Sequence, residues 1–296
     1  MRELSKLAKF FIICAAVFFV GLVCTIAGVA TGGVQNIEKL AEHYDWIQAG
    51  PGERGVTAQE VEEYNAIEFT GDADLYIVGK EFYKKASWLA DQDMLEQTEL
   101  DVIGKNKVIV IAGDEVTQPT IEVENGVLKI NAVEKDDSGI NLDMSDAPYY
   151  PQILVCAPTQ TLEHLTVSGE VGDVELLGIA WKNAKIELNV GNIDMEGVES
   201  AGLDMKMDSG DIEIQGEFKK TTSAISDAGD IEIDTSLPKA EYAYELSSDA
   251  GDVKVKDGSE DAMEYEAPEN AIKENGGPHK IIAITDSGDV EVHFGN

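Results

Sequence analysis

The most regularly spaced residues in the chain are glycines flanked by carboxylates. Gly172, Gly191, Gly210, Gly229, Gly251 and Gly288 recur at intervals of 19, 19, 19, 22 and 37 residues. The clearest copies run Asp208-Ser209-Gly210-Asp211-Ile212 and Asp227-Ala228-Gly229-Asp230-Ile231, then Asp249-Ala250-Gly251-Asp252-Val253 and Asp286-Ser287-Gly288-Asp289-Val290. Three columns of polar side chains follow from this spacing. One is Glu170, Asn189, Asp208, Asp227, Asp249 and Asp286; the second is Asp173, Asn192, Asp211, Asp230, Asp252 and Asp289; the third is Glu175, Asp194, Glu213, Glu232, Lys254 and Glu291. Aligned carboxylates are the chemistry of hard-cation binding, and Gly- and Asp-rich turns hold calcium in nonapeptide β-rolls. Those rolls repeat every nine residues, whereas this chain repeats every 19. Two unit charges about 5 Å apart in water repel by only about 0.8 kcal/mol, so the columns need no metal to coexist. The expectation is a solvated acidic face that blocks sheet-edge pairing. The candidate cation residues, if the face binds one, are Asp208, Asp211, Asp227, Asp230, Asp249, Asp252, Asp286 and Asp289.

Other chemistries find less support. Paired carboxylates cleave glycosides, but acids occur in every copy and no pair stands apart from the pattern. His43, His164, His279 and His293 form no spaced cluster. Cys156 lies in an apolar run, with His164 eight residues on and no third member for a nucleophilic triad, and reads as a small core residue. Cys14 and Cys24 belong to an N-terminal apolar run, which excludes a disulfide framework or a zinc knuckle in the remainder. Only two arginines, Arg2 and Arg54, and a formal net charge of −35 exclude nucleic-acid binding. Tyr76, Phe82, Tyr83, Trp88 and Tyr149-Tyr150 read as core or sheet-end packing rather than a carbohydrate platform. No catalytic residue, enzymatic activity or cofactor is expected.

The elements that position these residues are strands. After each glycine, apolar and acidic residues alternate, so that Ile212 and Ile214 face inward while Asp211 and Glu213 face out. Before it, Leu203, Met205 and Met207 alternate with Asp204, Lys206 and Asp208. The glycines are structural turn residues that supply a positive φ between two strands, and the aspartate preceding each can accept a hydrogen bond from a turn N–H. About 19 residues therefore make one coil of two strands, which must stack on others to bury its apolar face. Stacking in register places Ile212 between Ile193 and Ile231, and Met205 on Ile186. The fold class is all-β, a parallel β-solenoid over 165–296, interrupted by a polar insertion at 257–280. The alternative is an antiparallel sheet of hairpins. A β region over 65–164 precedes it, with turn chemistry at Thr70-Gly71-Asp72 and Glu124-Asn125-Gly126 and a polar loop at Asp136–Pro151.

The N-terminus has a different character. Residues 1–9 form a basic tail, and residues 10–30 carry no charge over a length that spans a hydrocarbon core of about 30 Å as a helix. This run exceeds the usual signal-peptide core of about 7–15 residues. The positive-inside rule then puts the tail in the cytoplasm and the rest outside a cell membrane, a single-pass topology. Residues 31–64 read as a juxtamembrane linker with short helices, one of them near Ala58–Tyr64 with Thr57 as its N-cap.

The opening strand Ile67-Glu68-Phe69, the central Ile153-Leu154-Val155-Cys156-Ala157-Pro158 and the repeated Ser/Ala-Gly-Asp-Ile/Val turns carry a resemblance. Over about residues 65–296 the chain resembles the bacterial "putative adhesin" family of membrane-anchored β-strand-repeat proteins, a domain of unknown function. The resemblance implies an extracytoplasmic scaffold that contacts proteins or envelope polymer. An accessory or sensor subunit of a cell-envelope stress system and a calcium-binding surface domain are the alternatives. Because only Gly295 and Asn296 follow the final copy, its coil is expected at the C-terminal end of the stack. There it is covered by the insertion or open to self-association.

Overall fold

The computed structural model describes residues 54–79, 106–113, 118–133, 151–157, 161–257, 265–266, 271–274 and 276–295. The expected tail, membrane span and most of the linker lie outside the described residues, as do Phe82, Tyr83, Trp88, Tyr149 and Tyr150. No helix among the described residues is long and apolar enough to cross a membrane.

Alternating apolar residues make the described chain almost wholly strand. The first strands are β1 (Arg54–Glu60), β2 (Ala66–Gly71), β3 (Asp74–Val78), β4 (Lys107–Gly113), β5 (Thr120–Glu124), β6 (Val127–Ala132) and β7 (Gln152–Cys156). The repeat region supplies β8 (Leu162–Val171), β9 (Val174–Leu177), β10 (Ala180–Val190), β11 (Ile193–Ser209), β12 (Ile212–Ala228) and β13 (Ile231–Pro238). Then come β14 (Tyr242–Ala250), β15 (Val253–Lys256), β16 (Tyr265–Glu266), β17 (Ala271–Glu274), β18 (His279–Ser287) and β19 (Val290–Gly295). The helix expected near Ala58–Tyr64 is not there: Arg54–Glu60 is strand β1, paired antiparallel with β4 along its full length. Edge pairing supplies backbone partners that a seven-residue isolated helix would lack.

Each coil runs along a long sheet, turns at a corner and returns along a short one. The pairing is parallel, with Ile212 between Ile193 and Ile231 and Met205 on Ile186, as the 19-residue spacing requires. One unbroken inner column runs Ile130, Phe69, Val167, Ile186, Met205, Ala224, Ala283 and Leu246, none more than 1% exposed. The facing column is Ile153, Leu75, Val174, Ile193, Ile212, Ile231, Val290 and Val253. Their burial closes a core that no single coil could form. The β-solenoid is continuous across residues 164 and 165, which both lie inside β8. Among the described residues, hairpin-style antiparallel pairing is confined to the two ends, where β1, β4 and β5 flank one end and β16 and β17 the other. Asn125 (φ 54°) and Gly126 (φ 81°) form the two-residue turn between β5 and β6.

The coils do not stack in chain order. The coil β2–β3, first in the chain, lies second in the stack, between β6–β7 and β8–β9. The coil β18–β19, last in the chain, lies between β12–β13 and β14–β15. The final copy is therefore not an edge, and the self-association expected through it has no edge strand to use. The terminal coil is β14–β15, and the insertion covers it with β17 against β14 and β16 against β15. The irregular intervals have a physical reason. After β13 the chain must climb two strand spacings of about 4.8 Å rather than one, and a single 3-10 turn at Lys239–Glu241 supplies the extra length.

Candidate functional site

The corner after each glycine is a continuous hydrogen-bond ladder. The backbone N–H of Asp173 donates to Asp74 Oδ1 at 3.2 Å, that of Asn192 to Asp173 Oδ1 at 2.8 Å and that of Asp211 to Asn192 Oδ1 at 3.1 Å. Asp230 donates to Asp211 Oδ1 at 2.8 Å, Asp289 to Asp230 at 2.7 Å and Asp252 to Asp289 at 2.8 Å. The aspartate after the glycine therefore accepts from the next coil, in place of the turn bond expected of the aspartate before it. Asp208, Asp227, Asp249 and Asp286, the preceding residues, are exposed. The flanking glycine and aliphatic N–H groups bond to backbone carbonyls of the neighbouring coil, as from Gly191 to Ser209 and from Ile193 to Asp211. Without the side-chain acceptor, the N–H between them would have no protein partner. Asn192 serves as well as aspartate, since its carbonyl accepts while its amide donates to Asp173 Oδ1 at 3.2 Å.

The glycine column obeys a second constraint. Gly210 has φ 129°, and a Cβ there would lie 1.6 Å from the carbonyl oxygen of Gly191. Gly172, Gly191, Gly229 and Gly288 also have positive φ; Gly251, against the expectation, does not, but a Cβ there would meet the Gly288 carbonyl at 1.9 Å. In the second column of candidate cation residues, the carboxylates of Asp211, Asp230 and Asp289 thus do structural work, while Asp252 in the terminal coil takes part through its backbone N–H. Asp72 and Asp74, which the sequence reading left out, extend it: Asp72 Oδ1 accepts from Glu170 and Val171. Their signal was Thr70-Gly71-Asp72-Ala73-Asp74, a copy of the corner one residue shorter than the next, since Thr70 pairs with Ser168 and Leu75 with Val174.

The third column occupies the outer face of the short sheet, in the order Glu175, Asp194, Glu213, Glu232, Glu291 and Lys254. Partial burial pushes Glu175 above the usual carboxylate range, helped by the charges of Asp194 and Glu196. Burial likewise raises Asp194, with Glu213 and Glu196 adding to it. Burial also raises Asp74, against the opposing pull of the Asp173 N–H and with a smaller upward push from the Asp173 charge. Toward the C-terminal coils the balance reverses. Burial acts upward on Glu291, but the Lys256 ammonium and His293 hold its carboxyl below the usual value. Glu213, Gln215, Glu232 and Asp234 line a shallow groove on this face. Next to it, His293 stands between Asp234 and Glu291, a grouping that residue spacing alone did not reveal. Cys156 is buried in β7, where its backbone carbonyl accepts from the Tyr64 hydroxyl at 3.1 Å.

These features define a parallel β-solenoid with a hydrogen-bonded Gly-Asp corner. The chain belongs to the Toastrack family, DUF4097, whose model matches residues 98–293. Among solved structures it is similar to a "putative cell adhesion protein" from Clostridium sporogenes, at 12% identity and a TM-score of 0.34, over 82% of this chain and 99% of that one. It is also similar to a "putative adhesin" from Bacteroides fragilis, at 13% identity and a TM-score of 0.32, over 81% and 97% of the two chains. A third, a "putative adhesin" from Parabacteroides merdae, has 13% identity and a TM-score of 0.26 over 82% and 97%. No curated protein sequence matches the chain.

Proposed function

We propose that the chain is a non-enzymatic scaffold, anchored in the membrane by residues 10–30 and projecting its solenoid outside the cell to contact a protein or envelope polymer. The observation that carries this reading lies on the outer face of the long sheet. Outward strand positions there are mostly polar, but Ile225 on β12 and Ile282 and Ile284 on β18 face outward and are only half-buried. Ile225 and Ile284 are direct neighbours in register. An apolar group rimmed by Lys206, Ser223 and Glu245 is a surface suited to a partner. In the acidic corner, by contrast, one carboxylate oxygen each of Asp173, Asp211, Asp230 and Asp289 is already engaged by a backbone N–H group. The test is retention of solubilised envelope material on the immobilised full-length chain. The expected result is a specific retained component that Ile282→Lys and Ile284→Lys lose while their thermal unfolding stays unchanged. Recovery of a kinase or transporter would assign the accessory role, and recovery of wall polymer the adhesive one. Retention indifferent to both substitutions would remove this face from the reading.

A further inference from the structure

Four side chains meet on the outer face of the short sheet where β13 and β19 run side by side. Glu232 lies opposite Glu291, and Asp234 opposite His293. His293 Nε2 is 2.5 Å from Glu291 Oε1, and Glu291 is also in contact with Lys256 Nζ. The other ring nitrogen, Nδ1, is 2.6 Å from Asp234 Oδ1 and 3.9 Å from Glu232 Oε1. When Nε2 carries the proton that Glu291 accepts, Nδ1 presents a lone pair. A lone pair and a carboxylate oxygen 2.6 Å apart repel unless a proton or a metal ion lies between them.

The geometry points to a divalent transition-metal site of the zinc class formed by Glu232, Asp234 and His293, with Glu291 as the carboxylate that orients the ring. One ligand atom from each of the three lies within 4.8 Å of the others. A metal sits about 2.0–2.1 Å from such nitrogen and oxygen ligands, so two of them at the tetrahedral angle lie about 3.3 Å apart. Nδ1 and Oδ1, 2.6 Å apart, need separate by about 0.7 Å, and these side chains are 29% and 37% exposed, with room to turn. A histidine that gives its second N–H to a carboxylate is the arrangement that metal-binding histidines commonly adopt. One imidazole and two carboxylates suit zinc or cobalt, whereas calcium takes six to eight oxygens. Glu213, beside Glu232 on β12, adds negative charge on the approach side. Lys254 and Lys256 lie on the opposite flank of β19, where Lys256 is engaged with Glu291. This inference concerns a different face from the isoleucine group and does not rest on the scaffold reading.

The test is titration of the full-length chain in detergent with Co²⁺ at neutral pH, read by visible absorption, followed by displacement with Zn²⁺. One saturable site is expected, displaced by Zn²⁺ and not by millimolar Ca²⁺ or Mg²⁺. His293→Gln and Asp234→Asn should each abolish the spectrum, and Glu291→Gln should weaken binding about 10- to 100-fold. Thermal unfolding in metal-free buffer establishes that each variant is folded, and the isosteric Asp234→Asn carries the test if His293→Gln is not. A chain that gives no one-site cobalt spectrum holds only a proton between His293 and Asp234, which overturns the inference. Cobalt binding indifferent to both substitutions, or displaced equally by Ca²⁺, overturns it as well.

Discussion

Asp211 shows how a residue that reads as surface charge can be part of the frame. Its Oδ1 is the protein acceptor for the Asp230 N–H, and Asn192 does the same work without a charge. Asp211→Asn should therefore leave stability nearly unchanged, while Asp211→Ala should cost about 0.5–1.5 kcal/mol in denaturant unfolding. Equal losses in both variants would mean that the charge, and not the acceptor, matters. Asp194 is the opposite case, because its folded-state pKa is raised by burial and by Glu213 and Glu196. A raised carboxyl pKa favours the folded state most below the unfolded value, near 3.8 for aspartate, and this contribution is lost as pH rises through the folded value. At pH 7 the charged form is therefore a burden. Asp194→Asn should raise the melting temperature there, by at most about 1 kcal/mol equivalent since the group is largely solvated. The advantage should disappear below about pH 4, so an equal gain at pH 3 and pH 7 would contradict the cause given.

Within a coil, the corner and the strands make separate demands. The strands ask only for alternating apolar residues, and Ile, Val, Met and Ala all occur along one inner column. The corner asks for glycine, because a neighbouring carbonyl leaves no room for a Cβ and, at all but Gly251, φ is positive as well. Gly210→Ala should consequently destabilise the domain by more than about 3 kcal/mol, well beyond the ordinary range for a surface turn. A loss under about 1 kcal/mol would show that the coils can part to admit a methyl group. The antiparallel end strands answer a different need. They cover the last parallel coil at each end with short or charged edges, such as Ala271–Glu274, which carries Lys273 and Glu274.

The order of the coils can be tested directly. Glu232 and Glu291 are neighbours across adjacent parallel strands, and Lys254 lies one strand further on. Disulfides close only when Cα atoms are within about 7 Å, and strands two apart are separated by about 9.6 Å. Cysteines at 232 and 291 should cross-link on mild oxidation, while cysteines at 232 and 254 should not. The reverse pattern would restore stacking in chain order.

Much of this architecture was legible in the sequence. A 19-residue interval with alternating residues dictates the coil, and equal intervals dictate register, so Ile193, Ile212 and Ile231 could be aligned without coordinates. The glycine column was legible too, because few other residues tolerate that backbone. The acceptor role of the following aspartate was not, since its partner N–H belongs to the next coil. Only the tertiary structure decided which coil lies beside which once the intervals departed from 19. A 37-residue gap has enough slack to reach several positions, and the position taken depends on which exposed strand edges remain to be paired. That choice has a chemical consequence. In chain order His293 would lie beside Lys256 alone. Inserted between β13 and β15, it also meets Asp234, and the Glu232, Asp234 and His293 cluster exists only because the last coil enters the stack from behind.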